Sequence, residues 1–140
     1  MASRRSRWSS LGRATLGDLA TAGIELAIAR LRLNSRDVQA LIAAPAGPPT
    51  KLNPRQAALV KRVSYFIPRV AARLPWRADC LVQAIAAERW LGRHGIATVL
   101  TLGVPRDRPA DFEAHAWLSA GSRIVTGGDI SGYVPFNPPR

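Results

Sequence analysis

Apolar positions follow a helical period through the first half of the chain and a period of two in part of the second. Leu16, Leu19, Gly23, Ile24, Ala27, Ile28 and Leu31 recur in steps of three and four, which predicts a helix over 15–33 with that stripe as its apolar face. Ser35 is placed to cap a second short helix carrying Val38, Leu41 and Ile42, ended by Pro45. Gly47, Pro48 and Pro49 mark 46–52 as a loop. Asn53-Pro54 then joins an N-cap residue to a proline at the first helical position. Ala57, Val60, Val63, Ile67, Val70 and Leu74 form the stripe of the helix that follows, and Pro68 predicts a kink or break because it has no N–H to donate.

Asp79 reads as the N-cap of a further helix holding Leu81, Ile85, Trp90 and Leu91, and Gly95 as its left-handed stop. Beyond Gly95 the pattern changes. Ile96, Thr98, Leu100, Leu102 and Val104 alternate with their neighbours as a strand does. Pro105–Asp111 is a polar loop, Ala114–Ala120 a second strand, Gly121-Ser122 a tight turn and Arg123–Thr126 a third strand, broken by Gly127-Gly128. Helices first and a small antiparallel sheet afterwards define an α+β chain. Its 140 residues suit a single domain over 1–140, with 1–74 its helical part and 75–140 the remainder.

Charge divides the chain differently from composition. Residues 1–77 carry twelve Arg and two Lys against Asp18, Glu25 and Asp37, a net +11, whereas six Arg and six acids balance over 78–140. An acidic partner, nucleic acid or a membrane surface fits such a half, and so does a simple preference for Arg over Lys. Leu16, Leu19 and Ile28, rimmed by Arg30, Arg32 and Arg36, are candidate partner contacts, with packing on the core the slightly favoured reading of the stripe. The stretch Leu19–Ala29 follows Arg4, Arg5 and Arg7 in the manner of a signal peptide, but Asp18 and Glu25 interrupt it and it is too short to span a bilayer. A cytoplasmic location is expected, consistent with one unpaired cysteine. One Cys and two His do not supply four zinc ligands of those types, and no glycine-rich phosphate loop is present, so no cofactor is expected. Trp8, Tyr65, Phe66 and Trp76 are not interleaved with the basic residues as a base-stacking platform would be, which argues against nucleic acid.

Cys80 follows the Asp79 cap, so it lies in the first helical turn, where unpaired backbone N–H groups and the helix dipole favour a thiolate. His115 opens a strand and can act as general base; Asp129, one hairpin later, can orient its ring. Asp107 and Asp111 are competing carboxylates in the preceding loop, and His94, at a helix C-terminus, reads as structural. A helix-start cysteine with His and Asp on neighbouring strands makes a workable acyl-transfer triad.

Cys80-Leu81, Trp90-Leu91, Arg93-His94-Gly95-Ile96, Leu102-Gly103-Val104, Ala114-His115-Ala116-Trp117 and Gly128-Asp129-Ile130 with Tyr133 and Phe136 occur in series. Together they resemble the transglutaminase-like cysteine peptidases, and within them the leader peptidases of lasso-peptide biosynthesis, over about residues 75–136. The resemblance implies a transglutaminase- or papain-like core in which the cysteine-bearing helix packs on the small sheet. It also implies removal of an N-terminal leader from a ribosomally made precursor peptide, with Cys80 as nucleophile, His115 as base and Asp129 as orienting carboxylate. The Cys80 N–H is a candidate oxyanion donor and Gln83 a weaker one. Helical periodicity through 1–74 matches the stand-alone form of that family, which implies a separate leader-binding protein and an ATP-dependent macrolactam cyclase as partners. The alternatives are acyl transfer to an amine and a basic, non-enzymatic helical protein that binds nucleic acid.

Overall fold

The computed structural model describes residues 3–33, 51–76, 78–107 and 114–135, with side chains from residue 15 onward. Three helices are present among them: α1 (Ser3–Leu33), α2 (Pro54–Ala71) and α3 (Cys80–Arg93). Four strands follow: β1 (Val99–Pro105), β2 (His115–Ala120), β3 (Arg123–Thr126) and β4 (Tyr133–Pro135). They form one antiparallel sheet in the order β3-β2-β1-β4. The α+β reading is therefore met, with α3 packed between the other helices and the sheet. The Ser35-capped helix, Arg36, Asp111 and Phe136 fall outside the described residues.

Capping chemistry fixes where α2 and α3 begin. The Asn53 side chain accepts the Gln56 N–H at 2.8 Å, and the Gln56 side chain accepts the Asn53 N–H at 3.0 Å, which closes a capping box in front of Pro54. Asp79 Oδ1 accepts the Val82 N–H at 3.2 Å at the head of α3. Gly95, at φ 72°, turns the chain away after α3. Pro68 does not break α2, which runs three residues further to Ala71. Losing one donor near a helix end leaves few internal bonds to forfeit.

The core is built from Val60, Val63, Phe66 and Ile67 of α2, seven residues of α3 including Trp90 and Leu91, and Leu118, Ala120 and Val125 of the sheet. α1 meets this core in an unexpected way. Its buried positions are Asp18, Ala22, Glu25, Leu26 and Ala29, while Leu16, Leu19, Ile24 and Leu31 are exposed. Four of the seven members of the stripe expected to pack inward therefore face out, and Gly23, Ala27 and Ile28 are half-buried. Partners explain the inversion. Asp18 forms a two-point pair with Arg62 of α2, at 3.1 and 2.5 Å, and the buried Glu25 binds Arg89 at 2.9 Å and Arg93 at 2.6 Å on α3. Each acid ties α1 to one of the other two helices. Buried carboxylates are tolerable only with such partners.

The sheet is longer than its sequence pattern showed. β4 is three residues ending in a proline, too short to display a period, yet it pairs with β1 through Gly103↔Pro135, Val104↔Val134 and Pro105↔Tyr133. β1 starts at Val99 and not at Ile96, although Ile96 is buried as expected of an inward residue. Among the described residues, no helix is long and apolar enough to cross a membrane.

Candidate active site

Cys80 is the first residue of α3 and is partly exposed. The Asp79 carboxylate satisfies the N–H of Val82, and the Gln83 side-chain amide donates to the Ala78 carbonyl at 3.0 Å. Two side chains thus brace the chain on either side of the cysteine. The bond to Ala78 takes one of the two N–H donors of the Gln83 amide, and Asp79 takes the N–H of Val82, so the Cys80 backbone N–H is a candidate donor to an oxyanion.

His115 is the first residue of β2, opposite Gly103 of β1. Alternation along β2 sets Leu118 and Ala120 toward the helices and leaves His115 and Trp117 on the other side of the pleat. Tyr133 lies against the imidazole there, with ring centroids 4.6 Å apart and planes tilted by 31°, and the Trp117 ring is 6.0 Å away. Gly103 makes room for this cluster, because a Cβ on it would lie 2.7 Å from the Trp117 ring. The imidazole Nε2 is 2.7 Å from the main-chain oxygen of Gly127.

Asp129 is two residues beyond that oxygen. Its carboxylate accepts the Ser131 N–H at 3.0 Å in a local turn and is exposed to solvent. Ser131, through its backbone N–H first and its side chain second, holds the Asp129 carboxyl below the usual carboxylate range, so the group is anionic at neutral pH. Among the described residues, no hydrogen bond joins Cys80 to His115 or His115 to Asp129. His94 is the exposed C-cap of α3, and Asp107 is exposed after β1. The contributors that sequence reasoning missed are the Gly127 carbonyl and the face of Tyr133. A backbone oxygen leaves no mark in a residue pattern, although the Gly127-Gly128 pair signalled an unusual backbone path.

The structure thus places Cys80 at a helix start, His115 at a strand start and Asp129 in the turn after β3, without a hydrogen bond among the three. The family model of the Transglutaminase-like superfamily matches residues 22–138. The chain belongs to that superfamily, whose activity is of the cysteine-dependent acyl-transfer and peptidase type. Neither the curated proteins nor the solved structures include a match to the sequence. No group of three or more His, Cys, Asp or Glu able to hold a metal ion occurs among the described residues.

Proposed function

We propose that the protein is a cysteine peptidase that removes the leader from a ribosomally made lasso-peptide precursor. It works with a separate leader-binding protein, ahead of an ATP-dependent cyclase. The observation that carries the reading is Cys80 in the capped first turn of α3, in a chain of the Transglutaminase-like superfamily. The series of motifs from Cys80-Leu81 to Gly128-Asp129-Ile130 supports the narrower assignment.

In this reading His115 takes the proton of the Cys80 thiol, and Sγ adds to the scissile carbonyl. N–H groups at the start of α3 receive the negative oxygen. Collapse of the tetrahedral adduct breaks the C–N bond as His115 returns the proton to the leaving amine, which leaves a thioester on Cys80. Water, deprotonated by His115, then releases the acid and regenerates the thiol. Asp129 is anionic and lies two residues from the carbonyl that holds the ring. The Sγ–imidazole hydrogen bond that starts the cycle is absent at rest, and such bonds commonly tighten only when substrate binds.

The test is incubation of the protein with a candidate precursor, with and without the leader-binding partner, reading the cleavage point by mass spectrometry. Cleavage at the leader–core junction, blocked by thiol alkylation, is the expected result. A product carrying an added amine would assign acyl transfer to an amine instead. Salt-dependent DNA binding that survives Cys80→Ala, without cleavage, would overturn the enzymatic reading.

A further inference from the structure

We infer that the main-chain carbonyl of Gly127 is the positioning group for His115: it fixes the ring tautomer and leaves Nδ1 as the working nitrogen. The inference deepens the peptidase reading and rests on it for the role of His115 as base. A carbonyl oxygen has no proton to give, so at 2.7 Å from Nε2 it must accept one, and the neutral imidazole carries its hydrogen there. The lone pair is then on Nδ1, the nitrogen left to take a proton from a thiol.

The surrounding residues are shaped to hold that carbonyl in place. Gly127 has φ 108°, a conformation that side-chain-bearing residues rarely adopt. A Cβ on it would lie 2.4 Å from the Trp117 Cβ and 3.2 Å from the Ala116 oxygen. Only glycine lets the chain leaving β3 run this close to β2 with its oxygen toward the ring. Tyr133 closes one face of the imidazole, so rotation that would break the Nε2 bond meets an aromatic wall. Asp129 meanwhile spends its carboxylate on the Ser131 N–H. The hydrogen bond that orients the ring comes from the backbone.

The wild-type chain carries the decisive measurement, because it has only two histidines and His115→Gln assigns their signals. Two-bond ¹⁵N–¹H correlation spectra, taken at a pH where the ring is neutral, are expected to show His115 protonated on Nε2 and unprotonated on Nδ1. Asp129→Asn is expected to keep that tautomer and to lower the rate of Cys80 alkylation by iodoacetamide by about tenfold or less. A carboxylate that holds the base of a triad directly costs about 10⁴-fold when made an amide. An Nδ1–H tautomer, a tautomer mixture, or loss of the Nε2–H signal in Asp129→Asn would overturn the inference. Gly127→Ala is expected to shift the pH profile of alkylation; because its Cβ threatens the fold, the tautomer in the native chain decides. The Nε2–H tautomer without peptide cleavage would uphold the Gly127 contact while removing the peptidase reading, whereas cleavage by a protein with an Nδ1–H tautomer would do the reverse.

Discussion

α1 and α3 pack against each other, but α1 buries two carboxylates among its apolar residues where α3 buries apolar side chains alone. α3 turns Val82, Ala84, Ile85, Ala86, Ala87, Trp90 and Leu91 inward and carries the Cys80 thiol at its head. α1 turns two carboxylates inward and leaves four large apolar residues outside. A helix can thus be anchored by an apolar stripe alone or by paired charges set among buried apolar residues, here Ala22, Leu26 and Ala29. The two solutions differ in what they present: α1 clamps α2 and α3 together, and α3 presents the Cys80 thiol. Stability and reaction are therefore separable, and substitutions divide between them.

The largest effect is expected at the reacting end. Cys80→Ala removes the nucleophile from a partly exposed first turn, where alanine is well tolerated, so the melting temperature stays within about 2 °C while cleavage falls by at least about a thousandfold. His115→Ala is expected to be nearly as damaging. Retention of more than about a hundredth of the wild-type rate by Cys80→Ala, measured by mass spectrometry of the product, would break the comparison at its stronger side. His94→Ala, at the exposed C-cap of α3, is expected to change neither rate nor melting by more than a small amount.

The helical layer is expected to show the converse. Glu25→Gln leaves Arg89 and Arg93 facing a neutral buried amide, and breaking a buried pair costs about 3 kcal/mol, or about 10 °C of melting in a domain of this size. Below the new transition the folded variant is expected to cleave within about twofold of wild type. Asp18→Asn is expected to be milder, about 1 kcal/mol, because half of the Arg62 side chain is in solvent. Thermal melts with activity measured on the same samples separate the two effects. An inactive, fully folded Glu25→Gln protein would show that the layers are not independent.

These contrasts also explain what was legible in the sequence. Both caps, the helix-to-strand switch after Gly95 and the β2–β3 turn are set by local chemistry, and Asn53-Pro54, Asp79, Gly95 and Gly121-Ser122 announce them. The inward face of α1 was not, because two stripes of helical period share that segment and the larger side chains favour the wrong one. Asp18 and Glu25, seven residues apart and in phase with Ala22 and Ala29, were the signal; their meaning depended on arginines at positions 62, 89 and 93. The helix-start position of Cys80 and the strand-start position of His115 were legible because caps and strand starts are local. The hydrogen-bond partner of His115 was not, since it is a main-chain oxygen.

The outward face of α1 sharpens the comparison next. Replacing Leu16, Ile24 and Leu31 together by Gln removes three exposed apolar side chains. Exposed substitutions of this kind stay within about 0.5 kcal/mol each, and Gln suits a helix, so a melting temperature within about 3 °C of wild type is expected by circular dichroism. A fall of about 10 °C would mean that this face, and not the paired acids, anchors α1.

The smallest expected effect tests the interior of α3 itself. Glu88 is half-buried and its Oε2 is buried among the described residues without a hydrogen-bond partner. Burial pushes its carboxyl above the usual range. When a folded-state carboxyl titrates above its unfolded value, both states are protonated at low pH and the group costs little there. As pH rises the unfolded chain ionises first, so stability is lost through that interval and the loss is complete only above the folded value. Glu88→Met, unbranched and helix-forming, removes both the charge and the unpaired oxygen. A gain of about 1 kcal/mol at pH 7, or about 3 °C, is expected, shrinking as the pH is lowered through the carboxyl range. Melts of both proteins at matched pH values isolate this difference from everything else the two chains share; an equal gain at every pH would assign it to packing and not to the buried charge.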